Sequence, residues 1–276
     1  MNAILPEPGG RSVRSVFISD THLGTRHCRA DFLADFLRSV RCERLYLVGD
    51  IIDGWQLRRS WYWDRGHDEV VQQIVRLARN GTRVTYIPGN HDEMLRGWLG
   101  LGVEVAGVRL AREATHITAA GQRLLVMHGD EFDCVVCHAR ALAYLGDRAY
   151  DFALNLNLWF NALRRRLGYP YWSLSAWAKR RVKRAVMAIN RFEVALAAEA
   201  ERRGYDGVVC GHIHYAEMRD VNGMLYCNVG DWVESCTVLA EHHDGRLELI
   251  DWAAENGLSF FTRRARSGKA EASAIA

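Results

Sequence analysis

Five apolar runs in this chain each end abruptly on residues that ligate hard metal ions, and this restricts the fold more than any other feature. The blocks are Asp20-Thr21-His22, Gly49-Asp50-Ile51-Ile52-Asp53, Gly89-Asn90-His91-Asp92, His128-Gly129-Asp130 and Gly211-His212-Ile213-His214. Each follows a run that reads as a β-strand, so all five can gather at one end of a sheet. Chemistry at the carboxyl ends of buried parallel strands is the rule for open α/β sheets.

The first third alternates strand runs with helical periodicity, as βαβ units do. Strands are predicted at residues 13–19, 44–48 and 82–87. Helices are predicted at 31–40, where Phe32, Leu33, Phe36, Leu37 and Val40 share a face, and at 67–79. From Val103 onward the pattern changes to short strands and turns, with Asn222-Gly223 and Asp244-Gly245 as hairpin signals. These strands are expected to form a second, mostly antiparallel sheet packed on the first. The fold expected is α/β: two stacked mixed β-sheets flanked by helices, an αββα sandwich, with an inserted helical lid. The core takes residues 12–130 and 205–252 and the lid 131–204, with flexible termini at 1–11 and 262–276.

Composition narrows the class. With 276 residues, 49% hydrophobic and 25% charged, the chain can bury a substantial core. The net charge of +3 is too small to imply nucleic acid. Residues 131–203 hold eleven Arg and two Lys against seven acidic residues, a surplus of +6, so the remainder carries −3. These basic residues form no duplex-sized stripe, and a nuclease is disfavoured. Seven scattered cysteines read as reduced thiols; Cys134 and Cys137 are spaced CxxC, but no second pair accompanies them. The N-terminus has neither the basic nor the apolar part of a signal peptide, and no run of apolar residues reaches membrane-spanning length. A cytoplasmic protein is expected, with peripheral contact at the inner face of a membrane left open.

The five blocks carry the chemistry. Alternate residues of an extended chain share a side, so Asp20 and His22 can serve one ion. Asp50 has two oxygens and can bridge two ions, Asn90 offers a neutral carbonyl oxygen, and His128, His212 and His214 add imidazoles. Nitrogen and oxygen donors without thiolate favour Mn²⁺, Fe²⁺, Zn²⁺ or Mg²⁺. Two such ions roughly 3.5–4 Å apart can generate a bridging hydroxide and clamp phosphate oxygens during in-line attack. Any one block alone is a common turn sequence; five in this order, each after a strand, are not coincidence.

The series Asp20-x-His22, Gly49-Asp50-x-x-Asp53, Gly89-Asn90-His91-Asp92, His128 and Gly211-His212-x-His214 resembles the calcineurin-like metallophosphoesterase superfamily. The resemblance implies that Asp20, His22, Asp50 and His214 hold one metal, and Asp50, Asn90, His128 and His212 the other. It also implies that His91, paired with Asp92, contacts the phosphate and serves the leaving group. A protonated imidazole there can stabilise developing charge and donate a proton. Asp53 and Asp130 are expected to orient ligands rather than bind metal.

Ser19 to Gly24, Gly49 to Trp55 and the helical insertion are similar to the UDP-2,3-diacylglucosamine pyrophosphatase-like branch, which acts in lipid A biosynthesis. That similarity implies cleavage to UMP and diacylglucosamine 1-phosphate, a lid over the acyl chains, and Mn²⁺ as usual activator. Established lipid A enzymes carry Arg where this chain has His91, so hydrolysis of a soluble nucleotide or other phosphodiester stays open. A scaffold that has lost catalysis would lack ligands, and none is missing. In the insertion, aromatic residues such as Trp159, Tyr171 and Trp172 mix with basic clusters at 164–166 and 179–184. This suits an anionic head group as well as ordinary helix packing. Trp55, Arg58 and Arg59 form a further candidate substrate contact, the indole for a nucleobase, though core packing serves equally well.

Overall fold

A computed structural model describes residues 10–132 and 189–257. The chain divides into two units, Met1–Gly129 with Ala200–Ala276, and Asp130–Glu199. The aromatic and basic segments of the insertion lie outside the described residues, as do both predicted flexible ends beyond residues 10–11.

In the first unit, β1 (Arg11–Ile18), β2 (Val40–Val48) and β3 (Arg83–Ile87) run parallel in one sheet, extended by β5 (Val108–Leu110) and the antiparallel edge strand β4 (Glu104–Val105). Helices cover one face, α1 (Ala30–Ser39) and α3 (Arg65–Arg79) foremost among the described residues. In α1 the buried side chains include Phe32, Leu33, Phe36 and Leu37, the stripe that the periodicity predicts. In α3 they include Val70, Ile74 and Leu77; Asp64 and His67 form a reciprocal capping box that fixes its start. A short helix missed by the sequence, α2 (Gly54–Arg59), begins directly at the second ligand block, with the Asp53 side chain accepting from Gln56 N–H at 2.7 Å.

The second sheet has the order β6 (Ala114–Ile117), β7 (Arg123–Val126), β8 (Gly207–Cys210), β10 (Met224–Asn228) and β9 (Glu217–Val221). The expectation for it needs two corrections. Its pairings are mixed, since β7–β8 and β8–β10 are parallel. Moreover, β11 (Thr237–Glu241) and β12 (Leu247–Asp251) do not belong to it: β11 pairs antiparallel with β1 and extends the first sheet. Every residue of β11 is buried, which suits an interior strand covered on both faces. The sheets meet through Phe17, Tyr46, Val48 and Ile87 against Leu124, Val126, Val209 and Val229. The fold is thus α/β, two mixed sheets flanked by helices. Among the described residues no helix is long and apolar enough to cross a membrane.

One polar network lies within this apolar seam. Glu241 is fully buried and accepts from Arg14 at 2.6 Å, Ser15 Oγ at 2.8 Å, the Ala119 N–H at 2.7 Å and His116 Nε2–H at 2.9 Å. It therefore joins the central strands of the first sheet to β6 of the second. Burial alone would raise its carboxyl, but the bonds from His116, Ala119 and Ser15 outweigh that and hold it down at about 2. Glu241→Ala should cost about 3–5 kcal/mol, because it leaves buried donors unpaired. A pKa depressed on folding contributes stability above the unfolded value, and that contribution is lost as pH falls toward 2. Urea denaturation of both proteins from pH 7 down to 3 should show their difference shrinking; a constant difference would contradict the assignment.

Candidate metal centre

The ligand blocks follow β1, β2, β3, β7 and β8, strands whose carboxyl ends bring all five together. Local backbone geometry then aims the donors. Asp20, His22, Asp50, His212 and His214 all have positive φ, at 50°, 50°, 53°, 72° and 51°. Left-handed backbone costs an L-residue on the order of 1–2 kcal/mol, and Asp and His tolerate it better than most. Five such residues at one site mark a constellation held by its surroundings rather than by local preference. Two glycines let the blocks close up. A Cβ on Gly211 would meet Ser19 Oγ and Asp20 Oδ2, and one on Gly89 would meet Asp50 Oδ1 and the His128 ring.

Asp20, His22 and His214 form one donor group, and Asp50, His128 and His212 another. Asp20 Oδ1 lies 2.8 Å from His214 Nε2 and 3.9 Å from His22 Nε2, which stands 3.3 Å from His214 Nε2. Asp20 Oδ2 instead accepts the His212 N–H at 2.8 Å and a short bond from Ser19 Oγ. In the second group His128 Nε2 lies 3.4 Å from Asp50 Oδ2, while Asp50 Oδ1 accepts the His91 N–H at 2.8 Å.

The orientation of the rings argues for a cation. His128 Nδ1–H donates to the Val48 carbonyl at 3.0 Å, which leaves Nε2 as the nitrogen that faces Asp50. His22 Nδ1 faces Asp53 Oδ2 at 3.2 Å and His214 Nδ1 faces Asp231 Oδ2 at 3.1 Å. Three imidazoles thus turn Nε2 inward, each with an acceptor behind it, as metal-bound histidines do. Asn90 Oδ1 is buried and accepts no hydrogen bond among the described residues, a costly state that a cation would relieve. The donors present fit divalent ions of the harder kind.

Electrostatics agrees. Burial would raise the carboxyls of Asp20 and Asp50, yet neighbouring imidazoles prevail, His214 foremost at Asp20 and His128 at Asp50. Asp20 lies well below the usual carboxylate range, and Asp50 falls to about 2. Both are anions ready for a cation at neutral pH.

The partner expected for His91 needs correcting. Asp92 is fully buried and does not orient that ring. Its Oδ2 accepts from the Ile51 N–H at 2.9 Å and from Tyr86 O–H at 2.6 Å, and its Oδ1 accepts from the Gly89 N–H at 2.5 Å. It ties the second block to the third, and its carboxyl is raised, chiefly by burial. The residue facing His91 Nδ1 is Asp53, whose Oδ2 lies 3.0 Å away and also meets His22. Burial would lower the His91 imidazole, but Asp53 and then Asp50 more than offset this and raise it above the ordinary histidine value.

Around this centre, Trp55 packs its ring on His91, centroids 4.3 Å apart, and donates Nε1–H to Glu93 at 3.2 Å. Arg58 and Arg59 lie exposed on the last turn of α2. Asp130 opens the second unit in a short 3-10 turn, Asp130–Phe132. Sequence reasoning missed Tyr86 and Asp231, which stand outside the five blocks. The Gly-Asp-Trp that follows a predicted strand at Gly230 was the available signal for Asp231.

Comparison with known proteins matches residues 13–216 to the calcineurin-like phosphoesterase family. A UDP-2,3-diacylglucosamine hydrolase of Xanthomonas campestris is 29% identical over 84% of this chain and 96% of its own length. Its counterpart in Aliivibrio fischeri is 25% identical over 81% and 92%. Among solved structures, an archaeal phosphodiesterase aligns at 13% identity and a TM-score of 0.41, covering 86% of this chain and 98% of that one; so distant a likeness adds no weight. With the family match spanning every donor of the site, the chain belongs to the calcineurin-like phosphoesterase family and is a metal-dependent phosphoester hydrolase.

Proposed function

We propose that the chain cleaves the pyrophosphate of a nucleotide-linked glycolipid, UDP-2,3-diacylglucosamine or a close analogue, giving UMP and a diacylated glucosamine 1-phosphate. The observation that carries this reading is the match to hydrolases of that name across nearly their whole length. Asp20, His22, Asp50 and His214 would hold one divalent ion and Asp50, Asn90, His128 and His212 a second, with Mn²⁺ the first choice. Ions bound there supply positive charge against phosphate oxygens and lower the pKa of water.

The protein's own part is positioning and proton transfer. His91, held at Nδ1 by Asp53, presents its opposite nitrogen, Nε2, as proton donor to the departing oxygen. Trp55 braces the ring and offers an aromatic face beside the site, with Arg58 and Arg59 as nearby cations for an anionic substrate. The composition of the insertion supports contact with acyl chains or a membrane surface.

A specific observation keeps a second reading alive: the imidazole of His91 is the general form of the motif, suited to soluble nucleotides or other phosphodiesters. With Mn²⁺ present, UMP release from UDP-2,3-diacylglucosamine should exceed hydrolysis of bis(p-nitrophenyl) phosphate by at least about two orders of magnitude in kcat/KM, ~2.7 kcal/mol. Equal or reversed rates would transfer the assignment to the second reading.

A further inference from the structure

We infer that Asp231 is a positioning residue that fixes His214 in its metal-binding tautomer. This rests on the proposed occupancy of the centre by divalent ions. Asp231 is 2% exposed and lies in the turn between β10 and β11, remote in sequence from every ligand block. Its two oxygens have separate tasks. Oδ1 accepts the backbone N–H groups of Val233, Glu234 and Ser235 at 3.0, 2.8 and 2.9 Å, closing the turn. Oδ2 points the other way, 3.1 Å from His214 Nδ1.

The turn needs only one acceptor, so an asparagine would serve it as well as an aspartate. The second oxygen acts on the imidazole. A carboxylate only accepts, so Nδ1 carries a proton toward Asp231, and Nε2, 2.8 Å from Asp20 Oδ1, is the nitrogen left for a cation once its own proton is released. His214 sits at φ 51° on a loop. Asp53 does the same for His22 and the Val48 carbonyl for His128, so Asp231 completes the pattern.

Asp231→Asn separates the two tasks. The amide oxygen keeps the turn, while the amide NH₂ turned toward Nδ1 favours the tautomer protonated at Nε2, which cannot bind a cation. Calorimetric titration of the metal-free protein with Mn²⁺ alone should show one ion bound 10–100-fold more weakly in the variant. The thermal midpoint of the metal-free protein should stay close to that of the unaltered chain. Nitrogen-15 spectra of the metal-free variant, with His214 identified through His214→Gln, should show Nδ1 unprotonated. Unchanged affinity with Nδ1 still protonated would overturn the assignment of Asp231 alone. If the unaltered chain takes up no Mn²⁺, the metal reading itself fails. Should the variant not fold, the unaltered protein loaded with Zn²⁺ decides. A His214 Nδ1–H that exchanges slowly with solvent supports the inference, and an unprotonated or freely exchanging Nδ1 overturns it.

Discussion

His128→Ala is expected to abolish hydrolysis and to cut the Mn²⁺ retained by the purified protein. The ring is buried, its Nδ1–H is spent on the Val48 carbonyl, and its Nε2 lies beside Asp50. Gly49 and Gly89 pack directly against the ring and offer no side chain to take its place. Losing it also removes the largest influence that keeps Asp50 ionised against burial, so the shared carboxylate weakens with it. Asp50→Asn should behave alike, and asparagine tolerates the φ of 53° at that position. Elemental analysis for Mn²⁺ and turnover of any accepted phosphoester check both; normal turnover in either variant would remove the assigned ligand.

His91→Ala should instead keep the metal and slow turnover on the order of 10²–10⁴-fold. The reason lies in which nitrogen does what: Nδ1 is engaged by Asp53, and Nε2 remains for the leaving group. The penalty should shrink for p-nitrophenyl esters, whose leaving group needs little protonation. The acid form of His91 is the active one, so activity should fall at high pH as the imidazole loses its proton. The variant should lack that alkaline limb. A pH–rate profile of kcat for both proteins tests this, and an unchanged rate in the variant would end the catalytic role of His91.

Much of this site was legible because its donors sit beside strand ends, where hydrophobic pattern and ligand type occur in one short window. Asp20-x-His22 and Gly211-His212-x-His214 announce both the strand and the chemistry. The helices were legible for a similar reason, since Phe32 to Leu37 and Val70 to Leu77 display a 3.6-residue stripe. Partnerships across the fold were not. The family resemblance implied that Asp92 serves His91, yet neighbouring residues of a tight turn project apart, and Asp92 is drawn inward to Tyr86 and the Ile51 N–H. That Asp53 faces two imidazoles depends on the meeting of three loops, which no local window contains. Likewise β11 reads as a strand in sequence, but its apolar pattern does not say whether it borders β1 or the second sheet.

The left-handed backbone at five ligand positions gives this protein a particular evolutionary exposure. Asparagine at Asp20 or Asp50 would ease the backbone there and keep an acceptor for the His212 and His91 N–H groups while silencing the chemistry, so drift toward greater robustness runs downhill into inactivity. Only continued selection for turnover holds those positions against it, and a descendant freed from that demand could keep the architecture intact as a docking platform.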